Sequence, residues 1–438
     1  MALPEAIFHN TSGSNFLMKL SLQERAAGAY QDGSVMSEME APPGSGTEQL
    51  CGSACRPFKA RRVSESDLNG PLLAEWNALH ARISPCTPFT SAQWNALWWK
   101  HHRSRSRFVH DELCLVVVTD ARNALVAVAP MMSTWRPSFG PFRINTLRYF
   151  GADPNVTEIR GLVCEPQNEG DAHEAVREYL SKLLPLSAWV EWGALRRENC
   201  AKAARKLPDG AKTSTREIDA YHLELPATWE ELRSSRSRNI KESIRKCYNS
   251  LKRDGLTPQL RVVQSPQDVA GALETFFRLH SMRNLAANTV AHADVFQKEN
   301  DRAFITEYAH ELSRLGQLRI FQLLISGDVV ATRVAFQFND EIYLYYSGYD
   351  PTWSKYSVMT TLVVEALKWS IEQRLKVVHL STGTDVSKLR WSPGVTHYCA
   401  LTEVRRGWRA RLSFGVYQQA QRLASWVGRS RLAASARR

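Results

Sequence analysis

The chain has 438 residues, 44% hydrophobic and 23% charged, with a net charge of +12. That balance excludes collagen-like, disulfide-scaffold and fully disordered classes and leaves a globular chain of two or three domains. The charge is uneven: residues 1–55 hold six acids against Lys19 and Arg25, a net of −4, so the remainder carries +16. Such a surface suits anionic partners, whether phosphorylated cofactors, acidic lipid headgroups or nucleic acid. The eight Cys lie mostly in apolar settings without a CxxC or zinc spacing. They predict reduced, buried thiols in a cytosolic protein and no metal site. No secretory leader and no run of ~18 apolar residues occurs. Most of the thirteen Trp read as core.

In chain order, residues 1–55 read as a disordered acidic tail, with at most a short docking helix around Phe16–Arg25. From about Phe58, helices alternate with strands. Trp76, Leu79 and Ile83 form one helical face, and Ser91 caps a second helix carrying Trp94, Leu97 and Trp98. A hairpin is expected over 112–119 and 125–132, because Asp120-Ala121-Arg122-Asn123 is turn material. Next come Gly151-Ala152-Asp153-Pro154, a helix over 170–184 and a strand over 189–194.

The second half repeats that order. Ile240, Ile244, Tyr248 and Leu251 make a helical stripe closed by Gly255. Ser265-Pro266 opens a helix with Val269, Leu273, Phe276 and Phe277 inward, and another helix covers about 302–315. Strands follow over 318–325, 329–338 and 342–347, then Gly348-Tyr349-Asp350-Pro351, a helix over 358–373 and a strand over 377–380. The shared order and the paired Gly-x-Asp-Pro turns point to an internal duplication, whose two lobes would leave a ligand cleft.

Four segments can carry chemistry. The start of the helix at Val358, with Lys355 and Ser357, is suited to phosphate, or Ser357 is a plain cap. His379 alternates with Ser381 on a strand that leads through Gly383 into a loop with Asp385, Lys388 and Trp391. Such a His can be a general base or a satisfied structural residue. His280 and Arg283 end an amphipathic helix, where His also commonly satisfies the dipole. The basic stretch 233–253, with Arg238 and Arg245, is either a solvated face or an anionic-substrate contact. After Glu403 the chain carries nine Arg and no acid, interleaved with Trp408, Phe414, Tyr417, Leu423 and Trp426. That segment reads as an interfacial helix near anionic lipid or as a helix packed on the body. GxSxG, HExxH, Walker A and clean GxGxxG patterns are absent.

The span Phe321–Trp391, with Gly327, Ala331, Gly348-Tyr349-Asp350, Gly383, Lys388 and Trp391, resembles the CelD-like (BcsL-type) acetyltransferases. Asn239–Gly255, Phe277–His280 and Pro88-Phe89-Thr90 to Trp98 add to that resemblance. These are GNAT-superfamily proteins of cellulose and exopolysaccharide biosynthesis, related to the Fem-type aminoacyl transferases. The resemblance implies an α/β (α+β) chain of tandem GNAT-like acyltransferase lobes, with mixed, mostly antiparallel sheets flanked by helices. The expected boundaries are 56–222 and 223–407, followed by a basic 408–438 helix or tail.

It further implies acyl transfer from acyl-CoA to a sugar or amine acceptor of a cell-envelope polysaccharide. His280, His379, Asp385 and Lys388 would be catalytic. Tyr349, Lys355, Ser357 and Val358 would hold the donor, and Arg283, Gly383, Trp391, Arg238 and Arg245 the acceptor. The chain departs from the family pattern at Val358-Met359, where Pro-Gly is common, at His379, where Asp is common, and at Ser387, where Tyr is common. Transfer from aminoacyl-tRNA, or an inactive lobe pair acting as a binding module, are the other readings. The expected location is cytoplasmic, with peripheral contact at the membrane's inner face.

Overall fold

The computed structural model describes residues 58–137, 143–153, 155–183, 188–207, 211–285 and 294–435. The expected acidic tail and its docking helix lie outside the described residues.

The elements run β1 (Lys59–Arg62), α1 (Pro71–His80), α2 (Ala92–His102), β2 (His110–Thr119), β3 (Leu125–Arg136), β4 (Ile144–Tyr149), β5 (Val163–Cys164), α3 (Glu169–Leu183), β6 (Trp189–Arg196), α4 (Arg197–Arg205) and β7 (Lys212–Glu224). The second half adds α5 (Trp229–Ser235), α6 (Arg238–Arg253), β8 (Pro258–Val263), α7 (Val269–Leu285), α8 (Glu299–Arg314), β9 (Leu318–Ile325), β10 (Asp328–Phe338) and β11 (Glu341–Tyr349). It ends with α9 (Val358–Glu372), β12 (Val377–Thr382), α10 (Val386–Leu389), β13 (Gly394–Val404) and α11 (Trp408–Ser435).

All strands join one sheet in the order β1-β2-β3-β4-β6-β13-β7-β12-β11-β10-β9-β8, with β5 on β3. Most pairs are antiparallel; β4–β6 and β11–β12 are parallel. This is a mixed α/β architecture flanked by helices, and its halves mirror each other in the expected order. The centre departs from the sequence reading, which assigned neither β7 nor β13. Here β13, from the second half, pairs with β6 of the first, while β7, from the first half, pairs with β12 of the second. The two strands also pair with each other along their whole length. The lobes are thus stitched by exchanged strands.

Burial follows the predicted periodicity with one change. In α6, Ile240, Ile244 and Leu251 are buried as expected, with Cys247 in place of the half-buried Tyr248, on a face that packs against α9. Between the lobes, α2 meets α8 around Trp94, whose ring lies 4.9 Å from Phe89, 4.8 Å from Phe304 and 4.9 Å from Tyr308. Edge-to-face aromatic pairs add to the area they bury, so this cluster welds the halves. The end of α2 faces α8, where His102 lies 2.9 Å from Asp301, in the first turn of that helix, and His101 lies 2.7 Å from Glu307, near its middle. The Asp301 carboxylate complements the positive end of the α8 dipole.

The expectation of reduced thiols fails at one place. Cys200 of α4 and Cys399 of β13 are disulfide-bonded, with Cα atoms 6.0 Å apart. The strand exchange brings together residues 199 apart in sequence, which spacing along the chain could not reveal. Cys86, Cys114, Cys164 and Cys247 are free and buried.

Candidate active site

The strands β11 and β12 are paired only through Glu341↔Val377, Ile342↔Val378 and Tyr343↔His379. Beyond that point they part, and the polar residues gather where they do. Ser381 helps to open the gap: its φ of 73° lies in the left-handed region, unusual for a residue with a side chain. The register on β7 shifts between His379 and Thr382. Thr382 resumes the pairing opposite Ala220, and its N–H donates to Glu158 Oε2 at 2.9 Å.

At the last paired position His379 Nε2 lies 2.6 Å from Glu341 Oε2. Opposite a carboxylate that nitrogen carries the proton, so Nδ1 is left as an acceptor. Glu341 is itself fixed, accepting from the Ser84 hydroxyl at 2.8 Å and the Cys86 N–H at 2.9 Å. Burial pushes the Glu341 carboxyl up, but the hydrogen bond from His379 and those from the Cys86 N–H and the Ser84 hydroxyl hold it below its ordinary value. His379 lines a small pocket with Thr87, His222, Tyr343, Ser381 and Tyr398. Both lobes build that pocket.

Tyr343 stacks on His379, ring centroids 5.9 Å apart, and its hydroxyl donates to Glu158 Oε2 at 2.7 Å. Past Tyr343 lies a cationic group. The Lys388 ammonium donates to Ser381 Oγ at 3.3 Å and to the Thr382 carbonyl. Burial lowers its pKa, opposed by the charges of Glu158 and Asp385. Arg283 and Arg333 both donate to Ser347 Oγ, at 3.0 and 3.3 Å. Burial pulls Arg333 down to about 10, and the neighbouring Arg283 charge adds to the effect. Three half-buried cations thus share one region with Glu158, and with Asp385 at its exposed edge, which favours an oxyanion or a polarised carbonyl.

His280 completes this flank. Its Nδ1 lies 2.9 Å from the Ser347 carbonyl, and its Nε2 3.9 Å from Asp294 Oδ1. Strand and helix touch here, because a Cβ on Gly348 would stand 2.3 Å from the His280 backbone nitrogen. Glycine is what lets β11 lie against α7.

The donor residues read from sequence are dispersed. Ser357, in the left-handed region (φ 53°), is exposed at the start of α9, and its carbonyl accepts from Thr360 and Thr361. The N–H groups of Val358 and Met359 remain at the helix's positive end. Arg390 reaches the same turn, donating to Thr360 Oγ1 at 2.8 Å. A diphosphate fits that combination of helix end and guanidinium. Lys355 is turned elsewhere: its ammonium lies 3.8 Å from Asp254. The Asp254 carboxyl sits down at about 2, chiefly through the Arg253 and Tyr356 bonds. The Val358 side chain is buried core, and Tyr349 packs at the core's margin.

Among the expected acceptor residues, only Arg283 belongs to the cationic group. Gly383, with φ of 90°, turns the chain toward α10, and Asp385 caps that helix through the Ser387 N–H at 2.7 Å. Trp391 is core, and its carbonyl accepts from Arg236. Arg238 is exposed and pairs with Glu242 at 2.8 Å, and Arg245 is exposed on the same helix. The reading missed Glu158, Glu341, Arg333 and Arg390. Arg333 did leave a signal, a lone charge inside the apolar run Val329–Phe338.

Residues 234–389 match the acetyltransferase (GNAT) domain family. The match covers 156 of the 438 residues, within the second lobe, and supports an acyltransferase enzyme of that type. In fold the chain is similar to the crystal structure of FemX, with a TM-score of 0.52, 10% identity, and coverage of 78% of this chain and 96% of that one. Lower scores relate it to the C-terminal domain of a putative lysylphosphatidylglycerol synthetase from Agrobacterium fabrum (TM-score 0.45, 11% identity, 80% and 96% covered). A tandem GNAT protein of the clavulanic acid pathway scores 0.39, at 10% identity, with 80% and 99% covered. Comparison with curated proteins gives no match.

Proposed function

We propose that the second lobe transfers an acyl group from a CoA thioester to an amine or hydroxyl acceptor, with His379 as general base. The observation that carries this is the Glu341–His379 pair at the point where β11 and β12 part. Held by Glu341, His379 takes the acceptor's proton at Nδ1 while the acceptor attacks the acyl carbon. The carbon–sulfur bond breaks, and the departing thiolate takes up a proton. Lys388, Arg283 and Arg333 supply positive charge for the carbonyl oxygen or for an anionic part of the acceptor. Ser357, the N-terminus of α9 and Arg390 would hold the donor's diphosphate. The acceptor, a sugar or amine of an envelope polysaccharide, rests on the resemblance of residues 239–391 to CelD-like acetyltransferases.

The test is thiol release with acetyl-CoA and longer acyl-CoAs, beside ligand-induced thermal shift. A stabilising shift and an acceptor-dependent release that His379→Ala removes are expected. Absence of any shift with every CoA ester would sink the CoA reading. Transfer from aminoacyl-tRNA is the second reading, favoured by the fold likeness to FemX and by the +16 carried outside residues 1–55. Tight tRNA binding that weakens steeply with salt would select it. With neither activity, the chain is a binding module.

A further inference from the structure

Nine large hydrophobic residues are exposed among the described residues, and four of them lie on α11: Trp408, Leu412, Val416 and Leu423, at 58–70% exposure. At about 100° per residue, these four fall within an arc of about 80°. Phe414 and Tyr417 point the other way, onto Trp189, with ring centroids 5.4 and 5.0 Å from it. The helix is therefore anchored by one apolar face and presents a second to solvent. Exposed Arg409 and Arg411 flank that second face, and the Arg409 guanidinium lies 5.4 Å from the Trp408 ring centroid. The segment after Glu403 carries nine Arg and no acid.

We infer that α11 seats the enzyme on an anionic phospholipid surface, lying in the plane of the interface. An apolar stripe with arginines at its margins places hydrocarbon under the stripe and headgroup phosphates beside the guanidinium groups. No helix of the described residues is long and apolar enough to cross a membrane, so the contact is peripheral. Nucleic acid would satisfy the arginines but leave Trp408, Leu412, Val416 and Leu423 in water, so lipid is the better match.

Flotation of the full chain with phosphatidylglycerol–phosphatidylcholine vesicles, against phosphatidylcholine alone, tests this directly. Binding about tenfold or more tighter to the anionic vesicles is expected. A Leu412→Ser, Val416→Ser double variant should lose most of it, while Leu412→Phe keeps it. Arg409→Gln with Arg411→Gln should flatten the salt dependence. Both substituted positions of the Ser variant are exposed, so its unfolding temperature and its acyl transfer without vesicles should match the parent. Equal binding to both vesicle types would overturn the inference. So would a Ser variant that binds like the parent, or a helix that binds RNA and ignores vesicles.

Discussion

The two lobes open their sheets in the same way and then use the opening differently. In the first, β4 and β6 pair in parallel through Thr146↔Trp189, Leu147↔Val190 and Arg148↔Glu191 and then part, as β11 and β12 do in the second. The first gap is filled by the chain itself: the Ala194 N–H donates to the Arg160 carbonyl at 2.7 Å. That contact requires Gly161 and Gly193. A Cβ on Gly161 would lie 2.6 Å from the Ala194 oxygen, and one on Gly193, where φ is 70°, would lie 2.5 Å from the Arg160 oxygen. The second gap holds His379, Tyr343, Ser381 and Lys388. The segment that plugs the first opening also furnishes the second, since Tyr345 and Tyr346 donate to the carbonyls of Val156 and Asn155, and Glu158 takes Thr382. A segment of the first lobe thus walls the candidate site of the second.

The largest test of that division is His379→Ala, expected to lower kcat by about 10²- to 10⁴-fold. Glu341→Gln should follow it part of the way, with an altered pH profile and little change in KM. A loss confined to KM would place this pair outside the chemistry. The first lobe should answer to acid instead. Burial lowers the pKa of His173, under Trp192, to about 4. An unfolded His titrates near 6.5, so the unfolded chain binds the extra proton first. Stability is therefore full above about 6.5 and falls as pH drops toward 4, by about 3 kcal/mol for this residue. Denaturant melts of His173→Phe across that window should lose this slope.

Gly161→Val should cost about 1–3 kcal/mol of stability through overpacking, while folded molecules keep their turnover. Proportionate loss of turnover would show that the first gap takes part in the reaction. At the small end, Arg238→Ala and Arg245→Ala should change stability by less than about 0.5 kcal/mol and leave turnover alone, since both face solvent. A large effect there would restore the substrate role that their sequence context suggested.

What the sequence revealed follows from how locally each feature is encoded. The hairpins, the helices from Val269 and Val358, and the turn Gly348-Tyr349-Asp350-Pro351 are local patterns, and the fold keeps them. Asp153 and Asp350 cap the turns after β4 and β11 through backbone N–H groups. Strand β7 was hidden because Lys212–Glu224 mixes charged and small polar residues without an apolar run, and β13 because its one apolar stretch, Tyr398–Leu401, is only four residues long. Glu341 looked like the end of a turn. Its role depends on Ser84 and Cys86, about 250 residues away. Glu158 was hidden for the same reason: it acts on strands of the opposite lobe. Trp391 misled in the other direction, since a Trp beside a polar loop can be core.

The exchanged strands also govern how the molecule is made. Tyr398 is the partner of Arg196, and Gly394 of His222, so the first lobe's sheet stays open-edged on the ribosome until nearly the whole chain has been synthesised. An unpaired β6 edge is a template for the wrong strand during that interval. Pairings of such long sequence separation form slowly. Expression of residues 58–224 alone should therefore yield aggregate, and co-expression with residues 225–435 should rescue it.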